Sequence, residues 1–138
     1  YVGEAVETED RLTISMPREL FTNTNIETLQ QIVTARSPLL KKAFLADSLE
    51  AVVTDTTVSF PWFPFTAVPD EVNAYSAFVT KLCEMARKQK RVVAVAAETD
   101  NNKYAFRCFL LRLGFIGDEY KIARKVLLKN LTGNSAFR

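Results

Sequence analysis

Two groups of basic side chains in the second half of the chain have the residue types and spacing of a phosphate-binding surface. Lysine and arginine repeated along one side of a helix can contact successive phosphates of a nucleic acid without reading its bases. The alternative is that the first group only complements the negative end of its own helix dipole. The two groups are Arg87, Lys88, Lys90 and Arg91, and Lys121, Arg124, Lys125 and Lys129.

A cluster of aromatic rings is the second candidate site. Phe60, Trp62, Phe63 and Phe65 follow one another closely and are interleaved with prolines. If exposed, these rings would form a partner-binding surface or a platform on which bases stack. If buried, they would form a lid over the core, which is the more common fate of so much apolar area.

Catalytic chemistry has little support in the chain. The sequence contains no histidine, which excludes Ser-His and Cys-His pairs and histidine-ligated zinc. The glycines form no phosphate cradle, so the sequence predicts no cofactor. One catalytic hypothesis uses Asp118 or Glu119 as the acid/base group. The substrate's carboxylate or phosphate would then be bound by Arg107, Arg112 and Arg124. However, Arg107 and Arg112 lie about 140° apart around one helix and cannot easily share a pocket. We therefore predict that the protein is not an enzyme.

A helix-turn-helix is a further hypothesis for DNA binding. The residues around Gly114 have the apolar spacing of that motif, namely Phe109, Leu113, Phe115, Tyr120 and Ala123. Two features argue against it. Leu110 stands where the helix crossing needs a small residue, and the carboxylates of Asp118 and Glu119 would face the phosphates.

Length and charge limit the remaining possibilities. The chain of 138 residues has a net charge of +2 and the usual size of one domain. Residues 1–69 carry 5 basic and 9 acidic side chains, whereas residues 70–138 carry 13 and 7. The basic half could attract an anionic partner, or the two halves could screen each other in the folded protein. We expect residues 1–10 to be frayed.

Localisation follows from the apolar runs and the cysteines. No run approaches the ~18 residues of a membrane span, so we expect no membrane partner. Cys83 and Cys108 lie within apolar helical patterns, which indicates free thiols in a reducing cytoplasm.

The first half of the chain predicts two strands of a hairpin, one earlier strand and two helices. Residues 11–16 alternate as a strand with Leu12, Ile14 and Met16 on one face. Thr24 and Glu27 form a capping box that begins a helix ending near Arg36. A second helix covers residues 39–46, and residues 49–54 and 57–62 form the hairpin. The prolines after it should lie at a sheet edge or beyond the sheet.

The second half predicts a long helix, a short strand and a helical hairpin. The long helix covers residues 69–90 and the strand residues 92–97. The hairpin covers residues 102–131. Asp100 would cap its first helix and Gly114 would end it, with Phe115 and Ile116 closing the turn. The second helix would turn one apolar half inward, comprising Ile122, Ala123, Val126, Leu127 and Leu131.

These elements predict an α+β fold in a single domain spanning residues 1–138. A small antiparallel sheet would carry helices on one face, with the helical hairpin added at the C-terminal end. The element order is that of a ferredoxin-like βαββαβ sandwich. If residues 92–97 are helical instead, the sheet has three strands and a helical C-terminal half covers it.

The last third of the chain also resembles a known family. Residues 102–107, 110–114 and 117–121 carry most of the resemblance, together with Arg124, Leu127, Leu128, Gly133 and residues 135–138. They are similar to the C-terminal domain of the uncharacterised "virulence-related protein" family of prophages and conjugative elements in Gram-positive gut bacteria. Upstream, the resemblance extends thinly to Leu39, Lys42, Ala43 and residues 60–63 and 88–91. It implies a mobile-element origin and a cytoplasmic protein.

The residues favour a non-catalytic protein-interaction module, bound to an unknown protein partner or to a second copy of itself. This interpretation rests mainly on the exclusion of the other classes. The alternative is weak, sequence-independent binding of nucleic acid through the basic C-terminal half.

Overall fold

The computed structural model describes residues 11–89 and 101–131. These residues contain one antiparallel sheet of three strands and five α-helices. The strands are β1 (Arg11–Pro17), β2 (Val52–Val53) and β3 (Thr57–Pro64). The helices are α1 (Asn23–Ala35), α2 (Ser37–Phe44), α3 (Pro69–Lys88), α4 (Asn102–Leu113) and α5 (Lys121–Leu128), with short 3₁₀ turns at Arg18–Leu20 and Asp118–Tyr120.

The arrangement confirms the predicted α+β class. β3 lies between β1 and β2 and runs antiparallel to both, as the third strand of a split βαβ unit does. The predicted strand at residues 92–97 lies outside the described residues, so the ferredoxin-like completion of the sheet stays a prediction. The expected fraying of residues 1–10 lies outside them as well.

The sheet turns one face toward the helices. Leu12 and Ile14 of β1 are buried, and Met16 packs partly against the core. On the other face, the hydroxyls of Ser15 and Ser59 lie 2.9 Å apart in a cross-strand hydrogen bond. The alternation of apolar and polar residues therefore gives the predicted face.

The hairpin turn forms without glycine. The amide of Thr54 donates to the carbonyl of Thr57 at 2.8 Å. The Thr54 hydroxyl accepts from the amides of Thr56 and Thr57. This side chain thus supplies the hydrogen bonds that hold the turn.

The prolines lie inside the sheet and not beyond it, on a stretch of β3 that has the open edge predicted for them. Pro61 and Pro64 both belong to β3, the central strand. They are tolerated because β2 pairs only with Val58 and Ser59, so one side of β3 is unpaired beyond that point. A bulge between Leu12 and Ile14 also interrupts the ladder opposite Pro61.

Two helix caps differ from the predicted ones. Thr22, rather than Thr24, caps α1, and its side chain and that of Asn25 accept each other's backbone amides at 3.0 and 3.1 Å. Asn101, rather than Asp100, caps α4 by accepting from the Tyr104 amide. Several Ser, Thr, Asn or Asp residues precede each helix, and local pattern alone does not rank them.

The core lies between the sheet and α3, the helix that also packs against α1, α4 and α5. The helical spacing of the apolar residues in α3 predicts one inner face, and it is confirmed: Tyr75, Phe78, Val79, Leu82 and Ala86 are buried, and Val72 packs partly against the core. In α4, Phe106, Phe109, Leu110 and Leu113 are buried.

The turn after α4 follows the prediction only in part. Gly114 adopts a φ of 109°, in the left-handed region where a side chain is strained, and ends α4 as predicted. Phe115 is buried beneath the turn. Ile116 does not close it, because its side chain is 64% exposed.

The predicted inward half of α5 is confirmed except at Ile122. Leu127 and Leu131 are buried, and Ala123 and Val126 pack partly against the core. Ile122 is 57% exposed. On the remaining positions, Arg124 is half-buried, whereas Lys121 and Lys125 are exposed.

Candidate functional site

The structure buries most of the predicted aromatic surface. Phe60, Trp62 and Phe63 are at most 1% exposed, and only Phe65, at 62%, faces solvent. The prediction of a four-ring partner surface is therefore wrong for three of its members. The bulge in the sheet lets both Trp62 and Phe63 reach the core, where Phe63 stacks on Tyr75 at 4.8 Å between ring centroids.

Phe65 instead belongs to a surface that we call the apolar rim, made of Leu45, Phe65 and Val68. All three side chains are at least half exposed. The guanidinium of Arg11 donates to the carbonyls of Leu45 and Trp62, which brings the end of α2 beside the end of β3. Arg11 thus places Leu45 near the segment that contains Phe65 and Val68, although Leu45 is twenty residues away from Phe65 in the chain.

A short hydrogen-bonded turn fixes the Val68 side of the apolar rim. The amide of Val68 donates to the Thr66 hydroxyl at 3.1 Å, and that hydroxyl donates to Glu71 at 2.6 Å. Glu71 also accepts from Lys129 at 2.6 Å. The segment between β3 and α3 is therefore held in place rather than free to fold its apolar side chains inward.

Leu45 is held in an unfavourable backbone conformation. Its φ of 53° and ψ of 44° place it in the left-handed region, and it is the one non-glycine residue in the described part of the chain with positive φ. For a leucine this costs about 1–2 kcal/mol. The conformation ends α2, where the amides of Leu45 and Ala46 both donate to the carbonyl of Lys41.

The predicted basic surface is divided by the fold. Lys129 is engaged with Glu71, and this contact is the one ion pair between described residues. Hydrogen bonds from Lys129 and Thr66 lower the pKa of Glu71, and the same contact raises the pKa of Lys129. The positive charge of Lys129 is therefore balanced by the carboxylate of Glu71 at the start of α3.

Arg124 has a structural role instead. Its guanidinium donates to the carbonyls of Phe115 and Gly117 at 2.9 and 3.0 Å. These carbonyls belong to the turn between α4 and α5. Arg124 therefore stabilises this turn.

The remaining predicted cations of the described residues lie on α3 and α5. Arg87, Lys88, Lys121 and Lys125 are exposed, whereas Lys90 and Arg91 lie outside the described residues. Lys129 contacts Glu71 at one end of α3 and Lys88 lies at the other, so about 25 Å separate these positions at 1.5 Å per residue.

An open cleft of about 300 Å³ lies between the C-terminal halves of α3 and α4. A second basic group, which the sequence did not predict, lines it. We call this cleft the basic cleft. Its cations are Lys81, Lys88 and Arg112, and its other lining residues are Glu84, Met85, Gln89 and Leu113. Lys81 and Lys88 are seven residues apart and so share one side of α3, which is the signal that could have suggested a common surface.

The charges of the basic cleft are poorly balanced. Within residues 11–89 and 101–131, no carboxylate lies within salt-bridge distance of Lys81, Lys88 or Arg112. Burial and then the charge of Arg112 lower the pKa of Arg36, whose guanidinium lies 4.2 Å from the Phe109 ring centroid. A further cation therefore lies near enough to Arg112 to repel it.

Lys81 is held by aromatic rings at the edge of the basic cleft. Its ammonium lies 4.5 Å from the ring centroid of Tyr120 and 5.5 Å from that of Phe115. Contact with ring faces stabilises a cation without neutralising its charge.

The described residues offer no other chemical constellation. They contain no group of three or more Cys, Asp or Glu side chains placed to hold a metal ion. Cys83 and Cys108 are not joined, and burial raises the pKa of the Cys83 thiol to about 12, which leaves it unreactive. No helix in the described ranges has the length and hydropathy to cross a bilayer.

Comparison with known proteins found no match to any family profile, curated protein or solved structure.

Proposed function

We propose that this protein is a non-catalytic interaction module that associates with a second copy of itself through the apolar rim. The observation that carries the proposal is the exposed Leu45, which Arg11 holds near the end of β3, where the exposed Phe65 and Val68 follow. Exposing these side chains gains nothing for the monomer, and covering them removes apolar surface from water.

Charge pattern favours a second copy as the occupant. Lys41 and Lys42 precede Leu45, Asp47 follows it, and Asp70 follows Val68, all of them exposed. Two copies related by a twofold axis present the same surface to each other, so a surface with both signs can pair opposite charges. Three central side chains make a small interface, and we expect weak association.

The expected result is reversible dimerisation that depends on Leu45. Sedimentation velocity over about 10 µM to 1 mM should show a mass that rises with concentration. Leu45→Gly should weaken association while leaving the fold as stable as before or more so, because glycine relieves the backbone strain. Phe65→Asp should abolish association.

A matched control distinguishes association through this surface from nonspecific association through any exposed apolar side chain. Ile116 is as exposed as Phe65, but it lies in a different part of the molecule. It adjoins Phe115, which contacts Lys81. Lys81 lies about 15 Å along α3 from Glu71, which is close to Val68. Ile116→Asp should leave association unchanged. A wild-type protein that stays monomeric at every concentration, or an equal effect of Ile116→Asp, would refute the proposal.

A second candidate function is weak, sequence-independent binding of nucleic acid. The exposed Lys121 and Lys125, four residues apart on the outer side of α5, support it. Asp118 and Glu119 are exposed next to them and oppose it.

For this candidate we expect weak binding that is lost with salt. Fluorescence anisotropy with random duplex and single-stranded DNA should show binding in low salt only, and the double variant Lys121→Glu, Lys125→Glu should remove it. Lys129 is left unchanged because Glu71 already neutralises it. Tight, sequence-selective binding that survives salt would favour a helix-turn-helix instead.

The origin and compartment are part of the proposal. The resemblance of the last third of the chain favours a mobile-element protein. The two free thiols suit a reducing cytoplasm.

A further inference from the structure

We propose that the basic cleft binds a small anion of the diphosphate class. Lys81, Lys88 and Arg112 line one cleft, and among the described residues that line it Glu84 alone carries an opposing charge. Arg36, close enough to Arg112 for its pKa to respond, adds to the positive potential. A ligand with two or more negative charges would neutralise this cluster.

The three cations suit phosphate oxygens in different ways. The Arg112 guanidinium can donate two parallel hydrogen bonds to one phosphate. The ammonium groups of Lys81 and Lys88 act as point charges, and the ring contacts of Lys81 leave its charge available to a ligand. None of the three lies within salt-bridge distance of a carboxylate among the described residues, so binding breaks no ion pair of that part of the chain.

The size of the basic cleft favours a small anion over a nucleic-acid strand. A volume of about 300 Å³ is at the small end of the range for ligand-binding clefts, which suits a diphosphate with a small attached group. Lys125 and Lys129 do not line the cleft, and Lys129 is paired with Glu71 at the far end of α3. A strand leaving the cleft toward that end would meet a neutralised lysine.

Two apolar residues complete the wall of the basic cleft. Met85 and Leu113 line it beside the cations. They would pack against an organic group attached to the diphosphate, as in a nucleoside diphosphate, and would leave free pyrophosphate untouched.

The test is calorimetric titration of the full chain with inorganic pyrophosphate, with adenosine diphosphate and with a short single-stranded oligonucleotide. Wild-type protein should bind pyrophosphate, and Arg112→Gln and Lys88→Gln should each weaken that binding by about tenfold or more. Both residues are exposed, so neither change should unfold the protein. Tighter binding of adenosine diphosphate than of pyrophosphate would assign the ligand to the phosphorylated small molecules, and equal binding would assign it to free diphosphate.

The control is the double variant Lys121→Gln, Lys125→Gln, which removes more charge but none from the lining of the basic cleft. Its affinity for pyrophosphate should match that of the wild type. The proposal fails if pyrophosphate does not bind, if the control weakens binding as much as Arg112→Gln, or if the oligonucleotide binds more tightly than pyrophosphate. Because none of these residues belongs to the apolar rim, failure here leaves the self-association result unaffected.

Discussion

Replacing Phe44 with alanine should lower the free energy of unfolding by about 3–5 kcal/mol. The ring is fully buried, and its centroid lies 4.7 Å from that of Phe63 and 5.1 Å from that of Phe78. Tyr75 and Phe106 complete the ring of neighbours. Phe44 thus joins α2 to β3, α3 and α4, and the four elements cannot all move to fill the space it leaves.

Urea denaturation followed by circular dichroism gives the measurement, with the m-value showing whether unfolding stays two-state. Phe65→Ala is the matched control, because it makes the same chemical change at a side chain that is 62% exposed. It should change stability by less than about 0.5 kcal/mol. Equal effects of the two changes would contradict the central position of Phe44.

Replacing Arg124 with methionine should cost about 2–3 kcal/mol of stability. The change removes the two charge-assisted hydrogen bonds to the carbonyls of Phe115 and Gly117, each worth about 1.5–3 kcal/mol when well shielded and less when partly exposed. Methionine keeps much of the apolar stem, so the loss reports mainly on the hydrogen bonds.

Lys125→Met is the control for this experiment. Lys125 is exposed on the neighbouring position of α5 and should contribute less than about 0.5 kcal/mol. Thermal and urea unfolding of both variants decide the matter. If both variants were as stable as the wild type and both bound DNA less well, Arg124 would belong with the phosphate ligands and its structural assignment would be wrong.

Local pattern was a good guide to the elements of this fold. The apolar spacing of α3 predicted its buried side, and Gly114 predicted the end of α4, because side-chain period and left-handed backbone are properties of neighbouring residues. It was a poorer guide where several local solutions compete. Thr24 and Glu27 match a capping box as well as Thr22 and Asn25 do, and the structure uses the second pair.

The candidate surfaces depended on contacts that no local pattern contains. Phe65 was predicted as a partner residue together with three rings that the bulge of the sheet turns into the core. Leu45 was not predicted, because only the hydrogen bonds of Arg11 place the end of α2 near the end of β3.

The sequence by itself determined that the chain makes a helix-rich α+β domain, and that it lacks the histidine on which many catalytic sites rely. Only the tertiary structure decided which charges are free. It paired Lys129 with Glu71, turned Arg124 onto a loop, and brought Arg112 of α4 beside Lys81 and Lys88 of α3. The physical reason is that the sequence states which side chains carry a charge, whereas the interaction between two charges depends on the distance between them. That distance is set by the fold when the residues are far apart in the chain.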